Sequence, residues 1–250
     1  MTAPTPSTDV PDPAEAPTGT TVLLLGGLWL DEHAWDALLP LLEAADLRAQ
    51  VVALPGASTT APDPEGVTLD DQLGAVLATI DATSPDGPVV VVGHSAACTL
   101  AWMAADRRPG AVRRVVLVGG VPSTGGEQYA AFFPIEDGVM AHPGWEPFAG
   151  PDSDDLDEAA KADLLDRAIP VPQGVAEAVV EYTDEARFDV PITLVCPEFT
   201  PEQVRQWQAA DPMPELAGAQ VDFIDIDTGH WPMVSAPQVL GDALVEAVRR

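Results

Sequence analysis

Val89-Val90-Val91-Val92-Gly93-His94-Ser95-Ala96-Ala97 decides how this chain is read. Four consecutive valines predict a short buried strand. Gly87-Pro88 marks its start. The residues that follow, Cys98-Thr99-Leu100-Ala101-Trp102-Met103-Ala104-Ala105, predict a buried helix. A serine sits in the very tight turn between them. Such a turn lifts the hydroxyl of Ser95 above the end of a sheet, the shape of a nucleophile elbow. Small residues are needed two positions either side, because strand and helix backbones nearly touch there. Gly93 and Ala97 occupy those positions. The bland alternative is a serine N-cap in another doubly wound fold.

Working outward, the pattern alternates. Strands are predicted at 21–25, 50–54, 114–118, 192–196 and 220–226. Helices are predicted near 34–46, 68–82, 201–210 and 236–249, with Thr68 as an N-cap. Strands alternating with helices imply right-handed crossovers and a mostly parallel, doubly wound α/β sheet of about six strands. Residues 121–188 break the rhythm with an acidic patch (Asp152, Asp154, Asp155, Asp157, Glu158) and two expected helices, near 155–168 and 173–186. Inserted after the strand at 114–118, this run is expected to form a helical cap over the sheet's C-terminal edge, where ligands bind in open α/β sheets. The core then comprises 20–120 and 189–250. Residues 1–19, rich in Pro and acids, lack an apolar pattern and are expected to be a disordered tail.

Composition narrows the partners. The chain has 250 residues, 46% of them hydrophobic, enough for a substantial core. The formal net charge is −29, with Lys161 the single lysine against 40 acidic residues. Such charge disfavours nucleic acid and anionic membranes and suits a high-salt setting. No window is apolar enough to span a membrane, and no secretory signal is visible. Two cysteines, Cys98 and Cys196, favour buried thiols in a reducing cytoplasm over a disulfide framework. No cofactor and no metal are expected, and the G-x-G-x-x-G dinucleotide spacing is absent. The protein is expected to be a monomer or homodimer.

A serine hydroxyl is a poor nucleophile until a base takes its proton. His230, in Asp227-Thr228-Gly229-His230-Trp231-Pro232 just past the last strand, reaches the same sheet edge and suits that role. His94 adjoins Ser95 but diverges at the turn, so it supports the turn instead. His33 and His142 lie in weaker positions. An acid must orient the imidazole. The loop after the strand at 192–196 reads Cys196-Pro197-Glu198-Phe199-Thr200-Pro201, so Glu198 is the candidate, with Asp227 and a cap carboxylate as alternatives. Two backbone N–H groups are needed for an oxyanion. Ala96 is expected to give one, and Leu28, in Gly26-Gly27-Leu28-Trp29, the other.

With Leu25-Gly26-Gly27, Trp35, Leu54-Pro55-Gly56, Gly93-His94-Ser95-Ala96-Ala97 and Gly229-His230-Trp231-Pro232, the chain resembles the α/β-hydrolase superfamily over roughly residues 20–249. More narrowly it is similar to small capped esterases of the plant methylesterase and hydroxynitrile lyase type and their bacterial relatives. The resemblance implies Ser95 as nucleophile, His230 as base, and Leu28 and Ala96 as oxyanion donors. Gly26 stands where that family commonly has histidine, Ala97 where it has glycine, and its usual triad aspartate is missing. The N-terminal strands of larger superfamily members are also expected to be absent. Trp29 and the cap residues Phe132, Phe133, Met140 and Trp145 are expected to line an apolar pocket. Phe148 belongs to the same aromatic group. The expected activity is a serine esterase acting on a neutral hydrophobic ester or lactone. The rivals are a hydrolase-fold lyase or C–C bond-cleaving enzyme, and a ligand-binding protein of weak turnover.

Overall fold

The computed structural model describes residues 20–60 and 64–250. The expected tail, 1–19, lies outside the described residues. In chain order the elements are β1 (Thr21–Leu25), α1 (Leu39–Ala44), β2 (Arg48–Val51), α2 (Leu69–Thr83), β3 (Val89–His94), α3 (Ala97–Arg107) and β4 (Val112–Val118). The segment after β4 carries β5 (Val139–Met140), α4 (Glu158–Arg167), β6 (Val171–Pro172) and α5 (Gln173–Ala176). The chain then returns through β7 (Ile192–Cys196), α6 (Pro201–Ala210), α7 (Pro214–Ala217), β8 (Val221–Asp225), α8 (Pro232–Ser235) and α9 (Pro237–Arg249).

Six strands form one parallel sheet in the order β2-β1-β3-β4-β7-β8. Every residue of β1 and β3 is buried. Alternation of side chains splits them between two cores. Leu23, Val91, Val115 and Leu194 face α2 and α3 on one side. Val22, Val90, Val116 and Val195 face Trp35, Leu42 and α9 on the other. From β1 the chain runs outward to β2, then crosses back to β3 on the other side of β1. Loops leaving β1 and β3 therefore diverge and open a crevice at the sheet's C-terminal edge.

Local chemistry fixes several boundaries. Thr68 and Asp71 form a reciprocal capping box at the start of α2, and Thr200 and Gln203 do the same for α6. The helix expected over 34–46 is broken into a short 3-10 turn (Glu32–Trp35) and α1, because Pro40 has no N–H to continue a helical ladder. The strand expected at 50–54 ends earlier, at Val51.

The segment between β4 and β7 is less helical than expected. Its first helix is α4, but the expected helix over 173–186 stops at Ala176. The chain beyond turns extended: Tyr129 N–H donates to Ala178 (2.8 Å), Val180 N–H to Glu127 (2.8 Å) and Gly126 N–H to Val180 (2.8 Å). Tertiary pairing with 126–130, aided by β-branched Val179 and Val180, wins over local helix preference. A buried polar cluster anchors the end of this segment. Asp106 on α3 accepts from the Thr183 and Asp184 N–H groups (2.9 Å each). Arg187 Nε and Trp102 Nε1 both donate to Glu215 Oε2, at 2.9 and 2.8 Å. Every buried charge there has a partner, as burial requires.

Candidate active site

Ser95 follows β3 directly and has φ +55°. Backbone strain of this kind in a non-glycine residue persists only where its surroundings enforce it. Here they do: Ser95 N–H donates to Val118 (2.8 Å) and its carbonyl accepts from Cys98 N–H (3.0 Å). The turn closes tightly enough that a Cβ on Gly93 would sit 2.6 Å from the Ala97 carbonyl carbon and 2.8 Å from Cys98 N. Ala97 itself is accommodated, with its side chain buried. Among the described residues, five non-glycine residues have positive φ, and three of them, Trp29, Ser95 and Asp227, lie in loops that meet at this edge.

His230 stands in the loop after β8. Its Nε2 lies 2.9 Å from Ser95 Oγ, and its Nδ1 lies 2.6 Å from Glu198 Oε1. A carboxylate only accepts, so Nδ1 carries the proton and Nε2 is the acceptor for the serine hydroxyl. The side chains of His230 and Glu198 are only 15% and 13% exposed, which strengthens this chain of bonds. Glu198 Oε2 is buried without a partner. Among the described residues, the carboxylate bonded to His230 is that of Glu198, not that of Asp227, the alternative acid.

Three hydrogen bonds fix the backbone around His230. Its N–H donates to the Asp152 carbonyl (2.8 Å). Its carbonyl accepts from His94 Nε2 (2.7 Å). The preceding Gly229 N–H donates to Asp155 Oδ2 (2.7 Å). A Cβ on Gly229 would lie 2.6 Å from the Asp152 carbonyl oxygen, so only glycine lets the acidic segment approach. Burial pushes the His94 pKa down to about 3, reinforced by nearby His230. His94 is thus a neutral imidazole whose proton sits on Nε2. Partial burial and the Glu198 charge hold the Asp152 carboxyl above its usual range, against the opposing pull of His230. The acidic patch was visible in the sequence, but its role in holding the His230 loop was not.

A cavity of about 60 Å³ adjoins Ser95 and His230, walled by Leu28, Trp29, Phe132, Phe133, Phe148 and Trp231, with His94 beneath. The rings of Trp29, Phe133 and Phe148 meet pairwise at 5.7–6.0 Å. Trp231 packs edge-on against His230 at 4.9 Å. Met140 and Trp145 are not in the lining. Met140 is fully buried and its carbonyl accepts from Trp29 Nε1 (3.0 Å). Trp145 packs edge-on against Trp231 (5.1 Å). Leu28 and Trp231 take part instead; the position of Trp231 beside His230 was the available signal. Among the described residues, neither the Leu28 nor the Ala96 N–H has a turn or loop partner.

Other candidate groups lie elsewhere. His33 is exposed and pairs with Asp36 (3.1 Å). His142 packs on Trp29 and Trp145, and burial lowers its pKa. Both cysteines are free and buried, and burial pushes their thiols up, that of Cys196 to about 12. A larger open groove of about 1000 Å³, between Pro64–Thr68 and Gln173–Ala178, has no serine, cysteine or histidine in its lining. Among the described residues, no group of three or more His, Cys, Asp or Glu could hold a metal ion. Nor is any described helix long and apolar enough to cross a membrane.

With this geometry in hand, comparison with family models decides the lineage: residues 22–243 match the alpha/beta hydrolase family. The chain belongs to that family. Comparison with curated proteins finds no match. Solved structures of similar fold include an extracellular α/β-hydrolase from a Paenibacillus species, described as sharing structural and functional homology with tobacco salicylic acid binding protein 2. It is 17% identical, with a TM-score of 0.73 over 91% of this chain and 98% of that one. An Arabidopsis methylesterase is 17% identical, with a TM-score of 0.71 over 92% and 98%. A pyrethroid hydrolase from Sphingobium faniae is also 17% identical, with a TM-score of 0.67 over 92% and 98%. At such identities they establish the fold, including the parallel sheet and its flanking helices.

Proposed function

We propose that this α/β-hydrolase is a serine esterase that cleaves small, neutral, hydrophobic esters or lactones through an acyl-enzyme on Ser95. The observation that carries the reading is the unbroken chain from Ser95 Oγ to His230 Nε2 (2.9 Å) and from His230 Nδ1 to Glu198 Oε1 (2.6 Å). His230 accepts the serine proton as Ser95 Oγ attacks the ester carbonyl, and Glu198 holds the imidazole in the required tautomer and stabilises its cationic form. Leu28 and Ala96 N–H groups receive the oxyanion. His230 then returns the proton to the leaving alcohol, and the same base activates water to release the acid.

The cavity supports the substrate class. Its walls are aromatic and aliphatic, and the neighbouring charges, Asp152, Asp155 and Glu198, repel anions. A volume of about 60 Å³ holds a small acyl or alkoxy group. Phe132, 62% exposed, forms a rim over which the rest of a substrate extends. A cyanohydrin lyase would want a cation beside Ser95. The single lysine, Lys161, instead lies over the Trp145 ring at 5.9 Å, outside the lining. Free buried thiols accord with a reducing, cytoplasmic setting. The test is hydrolysis of p-nitrophenyl esters of rising acyl length. Activity on short chains that disappears in Ser95→Ala is expected; an inactive wild type, or activity retained in Ser95→Ala, overturns the reading.

A further inference from the structure

A second cavity, of about 20 Å³, lies behind the wall of the Ser95 pocket; Leu28 and Trp29 line both. Most of its lining is apolar, including Leu54, Val171 and Val175. Two polar residues, Tyr129 and Gln72, belong to its lining. Tyr129 is 3% exposed, and among the described residues its hydroxyl has no hydrogen-bond partner. Gln72 is buried; its Nε2 donates to the Pro55 carbonyl (2.9 Å), and among the described residues its Oε1 has no hydrogen-bond partner.

An unpaired hydroxyl in an apolar enclosure is unfavourable, and native proteins satisfy such groups with water or ligand. The space is at least that of one water, which needs about 10–15 Å³. The partition is itself unusual. Trp29 has φ +63°, a strained conformation for a bulky residue. Both ends of Trp29 are tied, Nε1 to the Met140 carbonyl (3.0 Å) and its own carbonyl to Ile169 N–H (3.0 Å). Two long-range bonds thus enforce the strain at a wall shared with the Ser95 pocket.

We propose that this compartment is a substrate subsite. It would take an acceptor oxygen (ketone, ether or hydroxyl) a few bonds from the scissile carbonyl, with the Tyr129 hydroxyl donating to it. A hydroxyl would also donate onward to Gln72 Oε1. The subsite deepens the esterase reading: it favours oxygenated over plain aliphatic esters of equal length.

Binding can be tested apart from turnover. Calorimetry on Ser95→Ala would compare methyl 4-oxopentanoate and methyl 5-oxohexanoate with methyl pentanoate and methyl hexanoate. The same measurements follow on Ser95→Ala/Tyr129→Phe. One hydrogen bond of ordinary strength predicts roughly 5- to 10-fold tighter binding of at least one keto ester than of its plain partner. That ratio is expected to fall to about 1 without the Tyr129 hydroxyl. Equal binding of keto and plain esters means the compartment holds resident water only, and overturns the proposal. So does a preference that survives Tyr129→Phe. Because the comparison uses Ser95→Ala, a keto preference in a protein whose wild type hydrolyses nothing would uphold the subsite and sink the esterase reading instead.

Discussion

Replacing Glu198 by Gln removes one charge and little shape. In the proposed mechanism, attack by Ser95 turns the His230 ring into an imidazolium whose Nδ1 lies 2.6 Å from Glu198 Oε1. The charge centres are then roughly 4 Å apart, and at an effective dielectric of about 20 their attraction is about 4 kcal/mol. Since each 1.36 kcal/mol changes a rate tenfold, the loss in kcat is about 10³-fold. The glutamine amide can also donate toward Nδ1 and so stabilise the wrong tautomer, which carries the expected loss to between about 10³ and 10⁴. Glu198 is not in the cavity lining, so KM is expected to stay within about 3-fold. Steady-state kinetics on a short p-nitrophenyl ester measures both. A kcat within about 5-fold of wild type would refute the role given to Glu198. Repeating the measurement on Asp152→Asn and Asp227→Asn would then locate the acid.

Acidification should strain the site from below. With its folded pKa near 3 and an ordinary value of 6.5, His94 resists a proton that the unfolded chain accepts. Stability is therefore lost as pH falls below 6.5 and levels off near 3; from pH 7 to 5.5 the His94 share is about 1 kcal/mol. Urea unfolding should show wild type losing that much more than His94→Asn, and equal losses would contradict a neutral buried His94. Asp155→Ala, which removes the acceptor for Gly229 N–H, should lower kcat about 10-fold with KM nearly unchanged. Asp155→Asn keeps an acceptor and should restore most of the rate; no loss in Asp155→Ala would show that Asp155 does not hold the His230 loop. The net charge of −29 predicts that raising NaCl from 0.1 to 1 M lifts Tm by roughly 5 °C, read by calorimetry. A flat or falling Tm would remove the link between the acidic composition and high salt.

Strands buried on both faces write their pattern into the sequence, so Thr21–Leu25 and Val89–Val92 were legible as buried strands. The turn at Ser95 was legible because tight backbone approach excludes side chains, leaving Gly93 and Ala97 as its mark. Chain order pointed to Glu198 even without the usual aspartate. Long-range pairing was not legible. Nothing local says that 176–180 will pair with 126–130 rather than stay helical, or that Arg187 will meet Glu215 and Asp106. The pocket was legible in kind but not in detail. Aromatic composition picks out the cluster, yet whether Phe148 faces Ser95, or Met140 lies behind Trp29, depends on how the segment between β4 and β7 folds back. The grip of Asp152 and Asp155 on the His230 loop shares that dependence, over more than 70 residues of sequence.

The central claim is that Ser95 is a nucleophile activated by His230. Intact-protein mass spectrometry after treatment with a fluorophosphonate tests it most directly. A single adduct that maps to Ser95, absent in Ser95→Ala and strongly slowed in His230→Ala, is the predicted result. An unlabelled wild type, or a label carried by any other residue, would contradict it.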